Sequence, residues 1–78
     1  MNQFQYEVNV YEEDCVLSCK TNNPRTACQF MLNHADCYLD VINGFTGEVL
    51  AVMNHENAYC QEDFGLMLLG YMTETIWG

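Results

Sequence analysis

"CYLDVINGFTGEVLAVMN", residues 37–54, is the stretch on which the fold turns. Two runs rich in β-branched and aliphatic residues flank "NGFTG" (43–47), a cluster rich in candidates for positive φ. The stretch therefore reads as a β-hairpin. Gly47, just before the return strand, is expected in the left-handed conformation. Upstream, "FQYEVNVY" (4–11) alternates, with Phe4, Tyr6, Val8 and Val10 on one face and Gln5, Glu7 and Asn9 on the other. That is the pattern of a half-buried strand. "EED" (12–14) is a polar turn and "CVLSCK" (15–20) a short second strand, so a first hairpin precedes the second.

Between the hairpins, "TNNPRTACQFMLNH" (21–34) opens a helix. Asn23 suits the N-cap and Pro24 the first helical position. Ala27, Phe30, Met31 and His34 recur at helical spacing, so one stripe faces inward and the helix ends near Asn33 to His34. After the second hairpin, "QEDFGLMLLGYMTETIW" (61–77) is a second helix. Gln61, Glu62 and Asp63 fill its first turn, where negative charge complements the dipole. Phe64, Met67, Leu68 and Tyr71 make one stripe, and Leu66, Leu69, Met72 and Ile76 widen it almost all round. Gly65 and Gly70 each cost about 1 kcal/mol against Ala, which suggests close approach of another backbone. The helix is either well buried on the sheet or the seat of a homodimer or partner groove. The expected order is ββαββα in a single domain, residues 1–78. The fold class is α+β: an antiparallel four-stranded sheet of two hairpins with two helices packed on one face.

A chain of 78 residues has a marginal core, and small scaffolds often rely on a metal, a disulfide or a partner. Its 50% apolar content excludes global disorder. Eleven acids stand against Lys20 and Arg25, for a net charge of −9. That balance argues against binding nucleic acid or anionic lipid and favours a cationic partner, or a surface that competes with a polyanion. "MNQFQYEVNV" (1–10) has neither the cationic start nor the apolar run of a signal peptide. "FGLMLLGYM" (64–72) is too short to span a bilayer, so the cytoplasm is the expected compartment. Disulfides are disfavoured there, in keeping with the odd count of 5 cysteines.

Soft metal ligands are dense, and "HADC" (34–37) holds two of them. "CVLSC" (15–19) resembles a chelating pair, but residues four apart on a strand lie about 13 Å from each other. Zinc needs both sulfurs at about 2.3 Å. Topology gathers ligands better. The first helix returns antiparallel to the second strand and brings His34 near Asp14 and Cys15. Cys37 starts the third strand at that pole, and the fourth strand ends beside it at Asn54 and His55. Cys60 follows after a short loop. The expected structural zinc site is His34, Cys37, His55 and Cys60, with Cys15 in reserve for either histidine. The competing reading makes the cysteines small core residues and His34 a hydrogen-bonded histidine on an apolar stripe. Cys19 and Cys28 are assigned to core packing.

Thiol catalysis needs a neighbouring base and an electropositive setting. Neither cation maps to the His34 pole, and clustered acids raise a thiol pKa. "NGFTGE" (43–48) lacks the lysine and following helix of a phosphate loop. A catalytic zinc would need an open position and a general base, for which Glu56 beside His55 is a weak candidate. No enzymatic activity is expected.

Glu12, Glu13 and Asp14 form an acidic run, and Asp36, Glu56, Glu62 and Asp63 are expected near the same pole. A solvated face is the ordinary reading of such charge. The shortage of balancing cations points instead to a decoy, since carboxylates offer arginines and lysines what phosphates do. With its small size, acidity, "VYEEDC" (10–15), hairpin "VINGFTGEVLAV" (41–52) and lack of a catalytic constellation, the chain resembles phage-encoded inhibitors of bacterial defence. Anti-CRISPR proteins, including those against Cas9, are the nearest kind. The resemblance is one of overall profile and carries over no residues. It implies stoichiometric binding to a Cas nuclease in the host cytosol, blocking guide or target DNA loading or a conformational step. The alternative is a cytosolic homodimeric interaction module that uses the C-terminal helix.

Overall fold

The computed structural model describes residues 4–54, 56 and 58–77. The side chains of residues 75–77, Ile76 among them, and the whole of His55 lie outside the described residues. The elements run β1 (Tyr6–Tyr11), β2 (Val16–Thr21), α1 (Pro24–Asn33), β3 (Tyr38–Asn43), β4 (Val49–Met53), β5 (Ala58–Cys60) and α2 (Glu62–Trp77). Among the described residues the sheet has five strands in the order β2-β1-β3-β4-β5, every neighbouring pair antiparallel.

The α+β class holds, but the expected four strands are five. After Met53 the chain doubles back, and Ala58, Tyr59 and Cys60 pair with Met53, Val52 and Ala51. Three exposed residues are too few to show an alternating pattern, so this strand leaves no periodic trace.

One face of the sheet is the core. Tyr6, Val8 and Val10 of β1 share it with Leu39 and Val41 of β3, and Ala27, Met31 and Phe64 close it from the helices. Val8, Val10 and Val41 are fully buried, each worth about 1.5–3 kcal/mol in transfer free energy. Between Val41 and Ile42 the register with β4 shifts: Val41 opposes Ala51 and Ile42 opposes Val49. Leu50 is the extra residue of this bulge, and it is buried together with its neighbour Ala51. The turn before β4 follows expectation, with Gly47 at φ 77°.

Asn23 caps α1 by accepting from the Arg25 N–H at 3.0 Å, and Pro24 opens the first turn. Ala27, Cys28 and Met31 are buried; Phe30 and His34 are half-buried. α2 buries Phe64 against Tyr6, while Leu66 and Leu69 stay 62% and 59% exposed. The two helix glycines differ from expectation. A Cβ at Gly65 would meet the Cys60 sulfur at 3.4 Å, and one at Gly70 would meet nothing within 4 Å. The close neighbour at Gly65 is thus a thiol, and Gly70 faces open space. Among the described residues no helix is long and apolar enough to cross a membrane.

Candidate protein-binding surface

β1 and β3 both meet the same end of the sheet, β1 with its last residue and β3 with its first. Tyr11 and Tyr38 face each other there, on the side without helices. Beyond Tyr11 the chain turns through Glu12, Glu13 and Asp14, closed by the Glu12 N–H donating to the Cys15 carbonyl at 2.9 Å. Before Tyr38 the link from α1 brings Asp36 and Cys37, with the Cys37 N–H donating to the His34 carbonyl at 3.0 Å. The two links together form an open depression of about 570 Å³ lined by Tyr11, Glu12, Glu13, Asp36, Cys37 and Tyr38. Its two tyrosines are 44% and 48% exposed, so ring faces and carboxylates are offered side by side. That combination suits the guanidinium or ammonium of a partner, which carboxylates bind by charge and aromatic faces by cation–π attraction.

Behind the depression a polar network crosses the helix-free face. Asn9 donates through Nδ2 to Asp40 Oδ1 at 3.0 Å and to Glu7 Oε2 at 3.2 Å. The Ser18 hydroxyl donates to Asn9 Oδ1 at 2.8 Å, and the Tyr11 hydroxyl to Asp40 Oδ2 at 2.6 Å. The hydrogen bond to Asp40 is the main cause that holds the Tyr11 pKa above its ordinary value, followed by burial and by the charges of Asp40 and Glu7. Sequence reasoning missed this network. The signal was present: Glu7, Asn9 and Tyr11 share the outward face of β1, and Asp40 interrupts the apolar run of β3.

The two cations are spent elsewhere. Lys20 lies 3.7 Å from Glu7, and Arg25 lies 2.7 Å from Glu74 with its guanidinium over the Tyr71 ring at 5.3 Å. Among the described residues no lysine or arginine therefore neutralises Glu12, Glu13, Asp14 or Asp36.

Glu56, in the link between β4 and β5, stands at the same end of the sheet, its N–H bound to the Asn54 side chain at 2.8 Å. Glu62 and Asp63 do not. β5 carries the chain away from the acidic end, and Gln61 donates its N–H to the Leu50 carbonyl at 2.9 Å and its side-chain amide to Glu48. The two acids open α2 at that far level.

β5 also separates the expected zinc ligands. Cys60 opposes Ala51, which opposes Val41, and Val41 lies four residues along the chain from Cys37, the residue just before β3. This is about 13 Å along the strand and about 10 Å across two strand spacings, too far for one ion. His34 Nδ1 lies 2.9 Å from the Phe30 carbonyl, an acceptor only, so that nitrogen carries the proton, and the ring packs on Phe30 at 4.6 Å. Cys15 sits at the acidic turn, its thiol 3.9 Å from Glu12 Oε2. Among the described residues no three of His, Cys, Asp and Glu are grouped to hold a metal ion.

The thiols of Cys19, Cys28, Cys37 and Cys60 are all raised above their ordinary value. Desolvation comes first in raising Cys37 above its usual range, and the Asp36 carboxylate and Glu12 add to it. Burial raises Cys19 and Cys60, and raises Cys28 against a smaller opposing pull from Arg25. Raised thiols are protonated at neutral pH and poor nucleophiles.

Compared with known proteins, the chain matches no family model, no curated protein and no solved structure.

Proposed function

We propose that this chain is a small non-enzymatic protein that binds a basic surface of a nucleic-acid-binding effector and denies that surface to nucleic acid. A nuclease of the Cas kind is the most specific target this reading names, with the chain acting as an anti-CRISPR-like inhibitor. One observation carries it: Glu12, Glu13, Asp14 and Asp36 meet at one end of the sheet beside two exposed tyrosines, with both cations paired elsewhere. The acids present charge and acceptors to arginines and lysines that otherwise grip phosphates. The raised thiols support a binding role over a catalytic one. Backbone hydrogen bonds hold both acidic links, so the reading does not depend on zinc.

The test is a salt titration of binding to a basic nuclease, with nucleic acid as competitor. Affinity is expected to fall steeply as ionic strength rises and nucleic acid to be displaced. Affinity indifferent to salt overturns the reading.

A second reading, a homodimeric module joined through α2, is favoured by the exposed Leu66 and Leu69. Sedimentation at dilute concentration separates the two, since a strict monomer removes that interface.

A further inference from the structure

β2 is an edge strand. Its inner side pairs with β1 from Val16 to Thr21, and among the described residues nothing pairs with its outer side. The bond from the Glu12 N–H to the Cys15 carbonyl fixes the parity of the ladder. Opposed residues alternate between bonded and non-bonded pairs. Leu17, Cys19 and Thr21 therefore turn their backbone groups toward β1, and Val16, Ser18 and Lys20 turn theirs outward. The strand is 6 residues long, without proline, and only Lys20 blunts its edge. The opposite edge, β5, is 3 residues long.

Two features flank this open edge. On the helix side, β2 and α1 leave a notch of about 190 Å³ lined by Cys19, Thr26, Gln29, Phe30 and Asn33. A sixth strand would direct alternate side chains into it. At the start of β2 stands the acidic turn of Glu12, Glu13 and Asp14, and on the helix-free face Glu7 and Asp40 lie one and two strands in.

We propose that the outer edge of β2 takes up, as a sixth strand, an extended partner segment in which basic and apolar residues alternate. One apolar side chain seats in the notch beside Phe30, and the basic ones lie along the helix-free face toward the turn carboxylates. The inference rests on the cationic-partner reading above and adds the backbone mode of recognition, strand addition to a sheet edge. A second copy of the chain fits less well. Its −9 charge repels on approach, and its own β2 offers Lys20 as the sole cation.

The test uses the full chain and two synthetic peptides of roughly eight residues, long enough to cover β2. One alternates lysine and valine; the other has the same composition with the lysines in one block. Amide hydrogen exchange and affinity are measured at low salt. The alternating peptide is expected to bind about tenfold more tightly and to protect the amides of Val16, Ser18 and Lys20. Ser18→Pro removes an outward N–H without breaking the ladder to β1, and is expected to lose about tenfold in affinity, while Ser18→Ala retains it. Should Ser18→Pro fail to fold by circular dichroism, backbone N-methylation of the alternating peptide on its bonding edge takes its place and is expected to abolish binding. Equal binding of the block peptide, or binding without amide protection, overturns strand addition and leaves the proposed function standing on charge alone. Concentration-dependent protection of the same amides without peptide shows a second copy on the edge and also overturns it. No binding of either peptide overturns both readings.

Discussion

The Tyr11 hydroxyl reaches diagonally across the β1–β3 pair to Asp40 Oδ2 at 2.6 Å. Asp40 accepts from Asn9 on its other oxygen, so one carboxylate on a central strand ties both strands together on the open face. The phenol must keep its proton for this bond to exist. The folded state raises the Tyr11 pKa above 10.0, chiefly through Asp40, so its stabilisation is complete below that value and lost as pH rises through the folded value. The thiols of Cys28 and Cys60, raised from 9.0 by burial, act with the same sign and start to tell at lower pH. Thermal denaturation from neutral to strongly alkaline pH is expected to show stability falling above about pH 9. Tyr11→Phe is expected to cost about 1 kcal/mol at neutral pH and to flatten the upper part of that fall. An unchanged alkaline slope in Tyr11→Phe refutes the link.

Gly70 offers a second measurement. Nothing stands within 4 Å of where its Cβ would be, so Gly70→Ala gains helix propensity without a clash. Urea denaturation is expected to show a stabilisation of about 1 kcal/mol. Gly65→Ala is expected to gain less, because its Cβ would touch the Cys60 sulfur at 3.4 Å. Loss of stability in Gly70→Ala would contradict the open space described.

Neutralising the acidic end separates binding from folding. Glu12, Glu13 and Asp36 are exposed and bear like charge, so the triple change to Gln, Gln and Asn is expected to leave the urea midpoint unchanged or slightly raised. Affinity for a basic nuclease is expected to drop by about tenfold or more, and its salt dependence to become shallower. Unchanged affinity in a folded variant refutes the role given to these residues.

Metal content is checked by elemental analysis of purified protein. β5 holds Cys60 away from Cys37, so Cys60→Ser is expected to leave the zinc stoichiometry as it is in the parent protein. A loss of bound zinc in that variant would show that residues 58–60 pair differently in solution.

Much of the architecture is legible in the sequence because it rests on local signals. Alternation marks β1, the Asn23–Pro24 pair marks the start of α1, and "NGFTG" with Gly47 marks the β3–β4 turn. What escaped depends on pairing. The third strand of a meander needs no pattern of its own when its neighbour supplies the hydrogen bonds, so "AYC" (58–60) gave no warning. The misplacement of Cys60, Glu62 and Asp63 follows from that single omission. Asp36 beside the turn acids followed from topology alone, since a helix returning along β2 must end near where β2 began. The Asn9–Asp40 contact did not, because which polar residues face each other across β1 and β3 is set by a register that hydrophobic alternation leaves open by two-residue steps.

The central place of β1 bears on how the chain acquires its structure. β1 finds β2 across a turn of a few residues, a closure on the microsecond scale. Its other partner, β3, arrives only after α1 has been traversed, and the loop entropy of that longer closure must be met before Val8 and Val10 are sealed against Leu39 and Val41. The rate-limiting event is therefore expected to be the docking of two preformed hairpins along the β1–β3 seam. Substitutions at Val8 or Val41 should slow folding, whereas those in α2 should chiefly hasten unfolding.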